Sequence, residues 1–374
     1  MGTRIAVVGG GVAGSMLALR LAEQGAHVDL YRDPATSGMD ATGASGGFVR
    51  GFETDLDQCR LAAASLAELR GDPMLARACG YRETRSSYFL RPDADPQPQL
   101  AVLDAAVAGS ARVVPAAELA RTLDLGPRPD GTVAVVERYA GYVDPDAMRR
   151  YAAARAADLG ARVRDEPVAA VQAVPASDAG PAVTLVGGTV RRHDAVVVAA
   201  GAWTGRLLPV PLRTRRIQYG VYPLARPDLG CLVDDLSTLY GRSYGDGAVL
   251  LGVATSAWGV APGDIAADPV CVERVSDVAR TVLGLAGPLP PPRRVTAATE
   301  CFAADGGLRL RAVAGMPGVY SFTGGAGGAA KSVLASSRLA ATALGAAMSG
   351  QSPSFFASPP VLTCPVQGAD TAWG

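Results

Sequence analysis

The chain has 374 residues, with 35 basic and 35 acidic side chains that cancel to zero net charge, and 49% of it is hydrophobic. That balance offers no basic field to draw in nucleic acid or an anionic membrane surface. The length suits about two domains, and no apolar run reaches the ~18 residues that a membrane-crossing helix needs.

The chain opens as strand, turn and helix. Residues 5–8 are apolar and mostly β-branched, residues 9–14 read Gly-Gly-Gly-Val-Ala-Gly, and Ser15 to Gln24 continues as an Ala/Leu-rich helix. Gly9, Gly11 and Gly14 fit G-x-G-x-x-G in the setting that gives the motif meaning, with Val12 and Ala13 inside it. Gly9 permits the tight turn, Gly11 admits a pyrophosphate to the backbone, and Gly14 packs helix on strand. The helix N-terminus then presents free N–H groups to the anion. A second strand is expected over Ala26 to Tyr31, followed by Arg32 and Asp33, where such folds carry an acid for the ribose hydroxyls.

Pro34 to Gly47 reads as a loop and Gln58 to Arg70 as a helix. Tyr81 to Leu103 shows strand-like runs broken by prolines, Val113 to Leu125 a short helix pair, and Gly131 to Arg138 a strand. Asp144 and Pro145 are placed to cap and open a helix over Ala147 to Leu159. Ala161 to Arg164 follows as a strand, then a meander from Val168 to Ala173 and from Ala182 to Val186. Asp194 to Thr204 holds a buried strand ending in small residues. Ile217 to Leu224, Leu239 to Tyr244 and Val249 to Val253 alternate as antiparallel strands, and Asp268 to Leu285 is helical. Val319 to Phe322 is a last strand, and Ser332 to Met348 a small-residue helix after the glycine-rich run 324–331. The layout alternates pieces of one α/β domain with two insertions of mainly antiparallel sheet.

None of the six cysteines makes a C-x-x-C pair, so no zinc or iron–sulfur site is expected, and the chain suits a reducing cytoplasm. His27 and His193 both read as surface residues, which leaves a Ser/His hydrolase without a base. Lys331 is the single lysine of the chain.

Five segments now stand in order: the opening glycine motif, Thr42 to Arg50, Gly141-Tyr-Val-Asp-Pro145, Val196 to Thr204, and Gly324 to Lys331. In this order and spacing the chain resembles the flavoproteins of the D-amino-acid oxidase family, nearest the monomeric sarcosine oxidase and glycine oxidase branch, over residues 3 to about 348. The resemblance implies a discontinuous Rossmann-like FAD-binding domain (1–80, 144–215 and 306–350) and an antiparallel-sheet substrate domain (81–143 and 216–305), with 351–374 as a tail. It implies oxidation of a C–N bond in an amine or amino acid by hydride transfer to flavin N5, giving an imine, with oxygen or another acceptor taking the electrons. A monomer or small homo-oligomer is expected.

By the same resemblance, Gly9, Gly11, Val12, Ala13 and Gly14 would hold the FAD diphosphate, with Ser45 and Gly46 on its other side. Val168 would meet adenine, and Ala200, Gly201 and Trp203 would pass close to the dinucleotide. Gly324, Gly325 and Gly327 would aim N–H groups at the pyrimidine end of the flavin. Lys331, which would also lie against the cofactor, matches a lysine that helps hold the substrate carboxylate, and Arg50, expected in the catalytic set, matches one family arginine. Tyr240 aligns best among Tyr222, Tyr240, Arg242 and Tyr244 as a pocket residue.

The chain departs from the family in several places. Arg32 replaces the ribose-binding glutamate, so Asp33 substitutes or Arg32 lies near adenine. Leu250 stands where sarcosine oxidases carry the oxygen-activating lysine, and Ala254 where a histidine would be. This keeps a dehydrogenase, or a non-catalytic flavin-fold binding protein, as alternatives to an oxidase. Glu300 falls where the family has arginine or tyrosine, and Glu53 near its usual carboxylate-binding arginine. Either both face a substrate with an additional cationic or polar group, or local gaps displace them to solvent. Cys301 meets the flavin-linking position only across a three-residue gap, so the expectation is a free buried thiol and non-covalent FAD.

Overall fold

A computed structural model describes residues 2–173, 180–245, 247–263 and 265–351. The Ser/Pro-rich tail from 352 onward, including Cys364, lies outside them.

The opening strand Arg4–Val8 lies inside a six-stranded sheet. It pairs in parallel with His27–Tyr31 on one side and Ala195–Val198 on the other, and Arg162–Arg164 and Val319–Thr323 extend the two flanks. Arg309–Ala312 closes one edge antiparallel. Both faces of this sheet are covered at its centre, which is why residues 5–8 and Ala195–Val198 read as unbroken apolar runs. Ile5, Val7 and Val197 pack against the helices Val12–Glu23, Pro145–Asp158 and Ala329–Met348. Ala6, Val8, Val196 and Val198 pack the other way, onto the meander Val168–Gln172, Ala182–Leu185 and Val190–Arg192. Asp144 caps its helix by accepting from the N–H groups of Asp146 and Ala147, as Pro145 at the first turn requires.

The second body is an eight-stranded sheet, antiparallel but for one parallel pair between Cys231–Asp234 and Ser86–Phe89. Its longest ribbon joins Leu212–Tyr222 to Arg294–Ala303, in register from Leu212 opposite Ala303 to Val221 opposite Arg294. The strand Leu212–Tyr222 runs through position 215/216, where the sequence divides the two domains. On one face Val249, Leu251 and Val253 pack beneath the helices Pro269–Val282 and Ala116–Thr122. On the other, Tyr219, Val221 and Leu250 turn toward Phe48 and Tyr240. A three-stranded patch of Phe48–Val49, Gly141–Tyr142 and Arg82–Glu83 ties the bodies together.

Three expectations need correction. Val113 to Leu125 is a strand, Ala111–Pro115, followed by one helix, because the β-branched Val113 and Val114 pair with Val135 and Ala134. The region to Leu103 ends in a helix, Gln97–Ala106, whose Pro98 sits in the first turn where it costs no hydrogen bond. His193 is 3% exposed, not on the surface: its Nε2 lies 3.2 Å from Asp29 Oδ2 and 3.5 Å from the Tyr31 hydroxyl.

Candidate functional site: a long cleft meeting a charged cavity

The glycine turn is tight for a steric reason. Gly9 has φ +126°, and a Cβ there would lie 2.4 Å from the Ala199 carbonyl oxygen. A Cβ on Gly14 would lie 2.0 Å from the Gly9 carbonyl oxygen, so helix and turn touch backbone to backbone. The helix Val12–Glu23 starts with no side-chain cap at Gly11 and no acid in its first turn. Among the described residues, the Val12 N–H is engaged by Thr42 Oγ1 at 3.0 Å. That is the arrangement an anion needs.

A cleft of about 660 Å³ runs past this helix start. Gly9, Gly11, Val12, Ala13, Arg32, Val168, Ala200, Gly201, Trp203, Gly324 and Gly325 all line it, and so do Glu300 and Cys301. Gly14 lies beneath the turn, outside the lining. Arg32 lays its stem over Gly10 and gives its guanidinium to Asp165, with Nε 2.9 Å from Oδ1. Asp33 is spent on the local turn, accepting from the Ala35 N–H at 3.0 Å. Cys301 is a free buried thiol 3.1 Å from Thr323 Oγ1, and burial pushes its pKa up.

A second cavity, of about 280 Å³, adjoins the first, and Val12, Thr42, Glu300, Ala326 and Ala329 belong to both linings. Ser45, Gly46, Gly327, Lys331, Arg50 and Tyr240 line the second and not the first. Lys331, in the first turn of Ala329–Met348, places Nζ 2.5 Å from Glu53 Oε1. Arg50 reaches the same oxygen at 2.8 Å. The turn carrying them is fastened by Glu137, which accepts from the N–H groups of Gly51 at 2.8 Å and Phe52 at 3.1 Å. Burial would raise the Glu53 pKa, but Arg50 and Lys331 override it and hold the group below the ordinary range. Burial and Arg50 together press the Lys331 pKa below that of an ordinary lysine, against the pull of Glu53.

Glu300, in the same lining, is 3% exposed, with Oε1 bonded by Arg215 Nε at 3.1 Å and by its terminal nitrogen at 2.6 Å. The Tyr240 hydroxyl donates to the Gln218 carbonyl at 3.1 Å, and its ring meets Phe48 edge-on. Both acids are therefore held by cations, Glu300 buried and Glu53 half-buried. Ala254 lines the cavity, whereas Leu250 is buried behind Gly46 and Phe48. Tyr222 lies on the helix side of the sheet, away from the cavity. Arg242 bonds the Gly46 carbonyl at 3.0 Å and stacks on Tyr142, clamping the loop of residues 42–47 from the second sheet.

Sequence reasoning missed Arg215 and Glu137. Arg215 had a signal, since it sits inside a strand directly opposite Glu300 and opposite charges pair across strands. Glu137, at the end of an apolar strand, had none.

The sequence profile of the FAD dependent oxidoreductase family (DAO) matches residues 4–343. The chain belongs to that family. Its cofactor is FAD, and the cleft fits the group: an uncapped helix start, turns that exclude side chains, and a lining continuous from Arg32 to Gly325. Among solved structures, the chain is similar to L-proline dehydrogenase from P.horikoshii, with a TM-score of 0.77, 16% identity and 96% of each chain covered. It is also similar to glycine oxidase from Geobacillus kaustophilus, with a TM-score of 0.73, 18% identity and coverage of 98% of this chain and 100% of that one. Iminodiacetate oxidase from Chelativorans sp. BNC1 follows at a TM-score of 0.66 and 18% identity, covering 93% and 96%. At these identities the likeness is one of fold. A search of curated proteins gives no significant match.

Proposed function

We propose that this oxidoreductase acts on the C–N bond of an amino acid or related amine carrying a carboxylate. The observation that carries the reading is the shared wall: a cavity holding Lys331 and Arg50 opens directly beside the dinucleotide cleft, with Glu300 and Ala326 common to both. The similar structures named above are of an L-proline dehydrogenase, a glycine oxidase and an iminodiacetate oxidase, which agrees with this chemistry.

In this reading Gly9, Gly11, Val12 and Ala13 cradle the diphosphate over Gly14, with Ser45 and Gly46 facing from the loop. Val168 and Arg32 flank adenine; Ala200, Gly201 and Trp203 line the middle; Gly324, Gly325 and Gly327 meet the far ring. FAD, when bound, supplies the hydride acceptor. The protein's own work is positioning and charge. Lys331 carries one of the two positive charges that Glu53 neutralises only once, so the pair keeps a net charge for a substrate carboxylate. Tyr240 and Phe48 close an apolar side against water. Residues 81–143 and 216–305 build most of the sheet that roofs the cavity, so the domain division follows substrate and cofactor. The five described cysteines are free, in keeping with a cytoplasmic setting, and no helix among the described residues is long and apolar enough to cross a membrane.

The test is a panel of amino acids and secondary amines mixed with the holoenzyme without oxygen. Bleaching of the flavin by at least one is expected, and peroxide on admitting air then tells an oxidase from a dehydrogenase. A holoenzyme that none of them bleaches contradicts the reading.

A further inference from the structure

Glu300 offers an acceptor that the fold does not use. It sits opposite Arg215 in the long ribbon, and Arg215 spends both of its bonds on Oε1. Glu300 Oε2 is buried and has no hydrogen-bond partner among the described residues. It faces the second glycine run, since a Cβ on Gly327 would lie 3.0 Å from it. Arg215 is held in place by Phe302, whose ring centre is 4.5 Å from the guanidinium carbon, and by Trp258 at 5.2 Å. A buried carboxylate oxygen with no donor has lost its water without a replacement bond, which is unfavourable. The site is satisfied when a donor enters the cavity. The same cavity carries the Lys331–Glu53–Arg50 cluster with its excess positive charge. One cavity thus offers a cation to a carboxylate and an anion to an ammonium.

We propose that Glu300 Oε2 docks the reacting amine of the substrate and takes its proton, so that the substrate is an α-amino or N-alkylamino acid bound as its zwitterion. This rests on the amino-acid reading above and assigns the group that prepares the nitrogen. An N–H bond breaks, an O–H bond forms on Oε2, and the electron pair stays on nitrogen. Glu300 becomes a neutral acid and the amine becomes neutral; nothing is oxidised or reduced in this step. The freed pair is what oxidation of the adjacent C–H bond would require, and Glu300 would keep the proton off the nitrogen meanwhile. The titratable and charged groups around Glu300 are Arg215 across the ribbon, Lys331 from the terminal helix, Tyr240 from the sheet and the adjacent Cys301. Burial raises the Glu300 pKa while Arg215 and Lys331 pull it down, and the net rise suits a group that must hold a proton.

The experiment follows anaerobic flavin bleaching by the best amino acid of the panel, with wild-type and Glu300→Gln holoenzymes across pH. The glutamine variant should reduce at least ~10-fold more slowly at neutral pH and recover about tenfold per pH unit toward the substrate amine's own pKa. A binding titration with 2-aminoisobutyrate, which has no α-hydrogen, against isobutyrate provides a readout without turnover. Wild type should prefer the aminated ligand at least ~10-fold, and the variant should lose that preference. Should Glu300→Gln not fold, Glu300→Asp should keep the wild-type pH limb at a lower rate, and a limb moved to the substrate pKa in that variant overturns the proposal. A wild-type pH profile and ligand preference in Glu300→Gln, in an enzyme that amino acids do bleach, overturns this proposal alone. An enzyme that no amino acid bleaches removes both readings together.

Discussion

The two cavities are built from different materials. The long cleft is shaped by backbone: glycine turns, an uncapped helix start and strand ends, with few side chains making its geometry. The second cavity is shaped by charged side chains that hold one another, Lys331 and Arg50 on Glu53 and Arg215 on Glu300. A backbone site tolerates no added atom but survives many side-chain changes. A site of interlocked charges reacts to each replacement, because removing one partner strands another.

The largest effect should come from adding atoms to the first region. Gly14→Val drives a branched side chain into the Gly9 carbonyl, and the purified protein should retain no FAD, read from the absorbance of the released cofactor. Wild-type loading would break the contrast. Glu53→Gln should come next, since it leaves Arg50 and Lys331 facing each other; a loss of about 3 kcal/mol in denaturant unfolding is expected. Lys331→Met keeps the Arg50–Glu53 pair, so the fold should stand while anaerobic reduction slows at least ~100-fold. Unchanged reduction would take Lys331 out of the site.

Acid should then act on the first region through Asp29, on the strand beside the glycine turn. Burial raises its pKa, but His193 and Arg164 bring it down from 3.8 to about 2. A lowered carboxylate pKa adds stability above the unfolded value and loses it as pH falls toward the folded one. Asp29→Asn should therefore cost about 2 kcal/mol at neutral pH, a deficit that closes between about pH 4 and pH 2 in urea titrations. Smallest of all, Arg32→Ala should change FAD affinity less than ~5-fold, because its ion pair with Asp165 is largely exposed. A greater loss would mean that Arg32 holds adenine tightly rather than only flanking it.

The same division explains what the sequence makes legible. Gly9, Gly14 and Gly324 announce themselves because only glycine fits where backbones touch, and residue type alone records that. The apolar strands around Val7 and Val197 are readable because burial on both faces leaves no polar residue among them. Glu300 and Glu53 can be found by alignment, but whether they meet solvent or a cation depends on Arg215 and Lys331, distant in sequence and near only after folding. His193 misleads for the same reason, since its partner Asp29 lies 164 residues away. The strand Ala111–Pro115 is hidden because five residues of mixed polarity at a sheet edge carry little periodic signal.

The ribbon of Leu212–Tyr222 and Arg294–Ala303 carries Cys301 toward the cleft and Glu300 into both cavities. A single strut therefore forms part of two binding surfaces, and a ligand that stiffens it from one side lowers the ordering cost on the other. Thermodynamic reciprocity then requires loaded cofactor to tighten substrate and bound substrate to tighten cofactor by the same free energy. Occupancy of either chamber becomes readable in the amide exchange of one hairpin.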